Sequence, residues 1–174
     1  MASILKVDKI VDSGSNVLAT SSGSGYAVDS GVNLASATFP AGHILQVQSN
    51  YVNDSGSTTD TNTVNKVLVS VTITPSSASN KILILATGIS GHYAGGAYMN
   101  RGELFKGGTT SLHGEYLLIS ARETNANSTT AYGMNKLDSP NTTSSITYSL
   151  NGASATGASA NFRHSTITAI EVVA

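Results

Sequence analysis

Four histidines, His43, His92, His113 and His164, are the first place to look for metal or proton chemistry. None lies two, three or four residues from another, so no local pair is spaced to grip an ion. They read as surface or hydrogen-bonded side chains. Glycoside hydrolysis would need two carboxylates at a matched separation. Between Lys66 and the last apolar stretch only Glu103, Glu115, Glu123 and Asp138 offer one. Adjacent strands could bring any two together, but Arg101, Lys106, Arg122 and Lys136 are equally ready partners for them. Asp54 and Asp60 supply oxygen for calcium without the EF-hand spacing. GISGHYAGG at 88–96 lacks the spacing of a phosphate-binding loop. The expectation is therefore no catalytic residue, no metal ligand and no cofactor.

Seven tyrosines carry the other chemistry worth weighing. Tyr51, Tyr116 and Tyr148 lie inside strand patterns and read as core or sheet-face residues. Tyr93, Tyr98 and Tyr132 sit beside glycines near expected strand ends. An exposed aromatic flanked by Asn and Ser can stack on a sugar ring and hydrogen-bond its hydroxyls. These three are the expected receptor contacts, against the plainer reading that they pack at one end of a sandwich or at a subunit contact.

The elements that must position such groups are strands. Gly, Ser, Thr, Asn and Ala dominate, while Lys and Glu are scarce; that is a β composition. Hydrophobic residues make up 40 % of the 174 residues, enough to fill a core. Charged residues are only 11 %, with a formal net charge of −1, so a phosphate backbone has little to hold and nucleic-acid binding is not expected. With no cysteine, neither disulfides nor thiolate metal sites are available. The longest apolar run, ILILA at 82–86, is too short to span a bilayer as a helix, and no membrane insertion is expected.

FPAGH at 39–43 marks a boundary, with Pro40 stopping local pairing and Gly42 allowing a turn. Beyond it the alternation is regular. In HILQVQSNYV, Leu45, Val47 and Tyr51 share a face. In VLVSVTI, Val67, Val69, Val71 and Ile73 share a face against Ser70 and Thr72. KILILATGI is apolar on both sides, as a central strand requires. The polar stretch 53–65 reads as an exposed loop. About eight short strands separated by turn-rich segments predict an all-β, jelly-roll-like sandwich over 39–174.

Residues 1–38 differ in style. VDSGSNVLA at 11–19 and VDSGVNLA at 28–35 are near copies, each reading as strand, turn and strand. Isolated hairpins are marginal in water. Ile4, Leu5, Val7, Ile10, Val11, Val17 and Leu18 therefore need cover from outside their own segment. The chain's own large domain, identical copies around a three-fold axis, or a larger particle could supply it. This makes 1–38 an expected short β-stalk or attachment arm, and those seven residues its trimer core or particle attachment.

The opening ILKVDKIVDSGSNVL, together with NKILI at 80–84 and TITAIEV at 166–172, resembles tail-fibre and related virion appendage proteins of tailed bacteriophages, of the marine or cyanobacterial type. The resemblance implies a homotrimer made in the host cytoplasm and carried on the virion. Its N-terminus would dock on other virion proteins of the tail, neck or capsid. Its C-terminal β domain would face a glycan or protein of the host surface. A capsid decoration or cement protein is the alternative, and a glycan-degrading enzyme the third reading.

Overall fold

The computed structural model describes residues 9–11, 17–21, 26–28, 40–58, 64–92, 98–115, 117–122, 128–154 and 159–174. The chain divides into two compact units, Met1–Phe39 and Pro40–Ala174.

In the first unit, β1 (Lys9–Val11), β2 (Val17–Ser21) and β3 (Tyr26–Val28) form an antiparallel sheet in the order β1-β2-β3. The first VDSG phrase begins at the last residue of β1 and the second at the last residue of β3, and the remainder of each lies outside the described residues. Ile10 and Val11 are 46 % and 50 % exposed, and Val17 is half-buried. Leu18 lies in β2, while Ile4, Leu5 and Val7 lie outside the described residues.

The second unit contains β4 (Ile44–Thr58), β5 (Lys66–Ile73), β6 (Lys81–His92), β7 (Tyr98–Lys106), β8 (Thr110–Ser111), β9 (Leu117–Arg122), β10 (Ser128–Asp138), β11 (Ile146–Ser154) and β12 (Ala160–Val172). One sheet runs β10-β6-β12-β4 and the other β5-β11-β7, with β8 and β9 both pairing with β7. With the short β8 set aside, the chain changes sheet at every connection from β4 to β12 but one, β7 to β9. Eight strands wound in this order are a jelly roll, two interlocked Greek keys.

The core is where the alternation puts it. Ile82, Ile84, Phe162, Ile167 and Ala169 from one sheet meet Val69, Val71, Ile73, Leu104 and Leu150 from the other. Gly152 exists for close approach: a Cβ there would lie 2.7 Å from the Phe162 ring. Val67, expected to share the buried face, is 52 % exposed. The register passes from Leu150↔Val69 to Asn151↔Val67, which leaves Leu68 as an extra residue. That bulge turns Leu68 inward and Val67 out.

One further expectation is corrected. Residues 53–58 are strand, not loop, because β12 pairs with them up to Ala160↔Thr58. Ladder hydrogen bonds are made by backbone, so an edge strand needs few apolar side chains to form. Val47 and Tyr51 do share a face, but it is the outer one, each 53 % exposed. The alternate positions of β4 turn instead toward β5. Gln46 Nε2 donates to Thr74 O over 2.7 Å and Asn50 Nδ2 to Ser70 O over 2.8 Å. These amides lace the sandwich along one side, meeting one carbonyl on the edge strand β5 and one just past its end.

Candidate functional site

Among the described residues, Glu103 and Asp138 are not brought together as a pair. Glu103 is buried on β7 and accepts a hydrogen bond from Ser111 Oγ. Asp138, at the end of β10, accepts from Lys106 Nζ at 3.0 and 3.1 Å and from the Tyr148 hydroxyl at 2.7 Å. Lys106 is the register partner of Tyr148, whose side chain is in the core. Glu103, three residues earlier on the same strand, points to the opposite face of that sheet. A sheet thus separates the two carboxylates. Glu115 is exposed on a bend, and Glu123 lies outside the described residues. Burial, with the Asp138 carboxylate beside it, pushes the Tyr148 phenol far above its ordinary range. The group is a neutral donor tying the two sheets together. Asp54 caps the amide of Gly56 at 2.9 Å, and Asp60 lies outside the described residues. Among the described residues no three His, Cys, Asp or Glu side chains gather to hold a metal ion.

Of the three expected receptor tyrosines, Tyr93 lies outside the described residues and Tyr98 opens β7. Tyr132 is a correction: it is only 9 % exposed and belongs to the core. Its register partner on β6 is Gly88, and a Cβ at Gly88 would run into the Tyr132 ring. The glycine leaves a space that the ring fills from within. The Tyr132 hydroxyl lies 3.4 Å from Ser165 Oγ, which accepts from Ser55 Oγ at 2.8 Å. Burial pushes this phenol up as well, against a smaller lowering by Ser165.

Glu171 is a charged group that attention to acids in mid-chain misses. It is fully buried on β12. Its Oε1 accepts from Ser76 N–H (2.7 Å), Ser76 Oγ (2.8 Å) and Asn80 Nδ2 (2.7 Å), and its Oε2 from Gln46 Nε2 (2.6 Å). Burial raises the pKa of this carboxyl, but the bonds from Asn80, Gln46 and Ser76 outweigh it and hold the group below its ordinary value. Alternation was the available signal: Ile167, Ala169 and Glu171 fall on one face.

The surface best arranged to meet another molecule is the outer face of the β10-β6-β12-β4 sheet. Register places Leu137 beside Leu83, Leu83 beside Ile170, and Ile170 beside Val47. One aliphatic row therefore crosses all four strands. Two steps along, the row reads Gly133, Thr87, Thr166 and Tyr51. Ser49 Oγ and Thr168 Oγ1 pair at 2.9 Å between the two rows. The face is thus divided into an aliphatic half and a polar half with one exposed tyrosine.

No family model matches this chain, and no curated protein matches it. Solved structures that it resembles come from infectious bursal disease virus. Against a crystal structure of the T13 particle the identity is 10 % and the TM-score 0.42, over 76 % of this chain and 33 % of that one. A structure of the Gx strain gives 11 % and 0.42, over 82 % and 36 %. A mutant VP2 protein in T=1 particles gives 11 % and 0.38, over 86 % and 42 %. The chain spans well under half the length of these proteins.

Proposed function

We propose that this chain is a structural protein of a tailed-phage virion: a short homotrimeric appendage, attached through residues 1–38 and presenting the jelly roll to the host surface. The observation that carries this reading is apolar surface left in water by a lone chain, on both units. Ile10 and Val11 are exposed on the small sheet, and the Leu137–Leu83–Ile170–Val47 row lies on the outer face of the large one. Contiguous apolar residues of this kind mark surfaces that association covers. Identical copies are the occupants proposed here, because a sheet of three short strands that leaves Ile10 and Val11 exposed has little apolar burial of its own to hold it. Jelly rolls serve in capsids and lectins alike, so the fold is compatible with the reading without choosing it.

Adhesion is assigned to the surface of the jelly roll and not to catalysis. Several weak sites on one multi-copy particle suffice, since linked sites bind with avidity. The test is adsorption of the purified, labelled chain to host cells, set beside incorporation into particles. Saturable adsorption that competes with phage infection supports the appendage. A chain that does not adsorb, but whose absence leaves capsids fragile, is a cement protein instead.

A further inference from the structure

We propose that Tyr51 and His164 form a carbohydrate platform, a site for the ring of a neutral sugar on the host surface. This rests on the adhesion reading above and names its ligand class and residues.

The platform is built by a break in β12. Against β4 the register shifts between Phe162 and Arg163, and against β6 between Arg163 and Thr166. The bulge leaves Arg163 and His164 exposed in succession before Ser165 turns inward. His164 has φ +50°, in the left-handed region that a histidine keeps only where its surroundings hold it. Bulges re-aim side chains, and here the re-aimed side chain is an imidazole laid beside a tyrosine on the neighbouring strand.

The two rings meet end to end. The Tyr51 hydroxyl lies 2.7 Å from His164 Nδ1, the centroids are 6.2 Å apart and the planes differ by 22°. That hydroxyl also donates to Asn53 Oδ1 at 3.0 Å. In the tautomer protonated at Nδ1, His164 completes the pair as donor. The result is a nearly flat surface two rings long, fixed by two hydrogen bonds and open to water. Beside it the row continues as Thr166, Thr87 and Gly133, all short. A pyranose could lie with its C–H face on the negative π-faces of the rings, with Thr166 and Asn53 beside them to meet its hydroxyls. Little ordering cost remains, because both rings are already held.

The test uses the full chain and neutral oligosaccharides of glucose, galactose and mannose as probes, followed by the aromatic NMR signals of Tyr51 and His164. At least one probe is expected to shift both signals in the millimolar range. Tyr51→Ala and His164→Gly are each expected to weaken that binding by about tenfold or more. His164→Gly keeps the fold in hand, since glycine adopts a positive φ freely and this variant should unfold no more easily than the parent. No shift with any probe, or shifts that survive both variants, overturns the site. Adsorption to host cells separates the two readings. Parent and variants adsorbing equally overturn the platform but not adhesion. Ring shifts from a chain that fails to adsorb support the platform while adhesion falls. Adsorption that the variants lose, but that periodate treatment of the cells spares, makes the ligand a protein and overturns the carbohydrate assignment.

Discussion

Gln46 and Glu171 stand opposite each other on β4 and β12, and the amide of one donates to the carboxylate of the other over 2.6 Å. The second proton of the same amide goes to Thr74 O. Ser76 and Asn80, at the two ends of the β5–β6 turn, reach the other carboxylate oxygen. One buried anion thus fixes an edge strand, a turn and the last strand, with neutral donors as its hydrogen-bond partners. A buried carboxylate is tolerable only when its lone pairs are met in this way.

Glu171→Gln turns an acceptor of four bonds into a group that must donate toward donors. The expected loss is about 2–3 kcal/mol at neutral pH, read by urea unfolding. Because the folded-state pKa is lowered, the parent's extra stability is present above the ordinary carboxylate value of about 4.3 and fades as pH falls through the lower folded value. The variant should lose that part of the acid slope.

Gly152→Ala places a methyl against the Phe162 ring, between the sheets. Overpacking of this kind should cost about 1–3 kcal/mol. Phe162→Leu in the same chain should recover part of the loss in a double-mutant cycle, because the two positions share one space.

Tyr148→Phe removes one of the acceptor bonds of Asp138 and leaves Lys106 in place. A loss of about 1 kcal/mol in chemical unfolding is expected. The raised phenol sets a second, alkaline signature. Stability is whole below the unfolded tyrosine value of about 10 and is lost as pH rises above it. Ultraviolet titration should show Tyr148 ionising only as the chain unfolds, and the variant should resist alkali better.

Leu137→Asp puts a charge in the aliphatic row at a position on the edge strand β10 that is 49 % exposed in a lone chain. Thermal unfolding of the dilute protomer should change little, while sedimentation should show a smaller assembly than the parent's.

Alternation carried most of the fold. It marked Val69, Val71 and Ile73 as core and KILILATGI as a central strand, and both stand where it placed them. It could not see Leu68 bulge, because a bulge depends on the partner strand. Nor could it tell which of two faces of β4 is inside, since the amides that turn inward there look like surface residues until β5 is opposite them. The site was less legible. Tyr132 beside Gly133 reads as an exposed ring, yet a different glycine, Gly88 across the strand pair, leaves the room that the ring fills. Tyr51 and His164 are 113 residues apart, and only the register of β4 against β12 and one positive φ bring them together.

Native mass spectrometry of the intact chain at micromolar concentration tests the central claim most directly. A dominant species of three times 17.7 kDa is the predicted result. A single 17.7 kDa protomer whose first unit is fully protected from hydrogen exchange would contradict it.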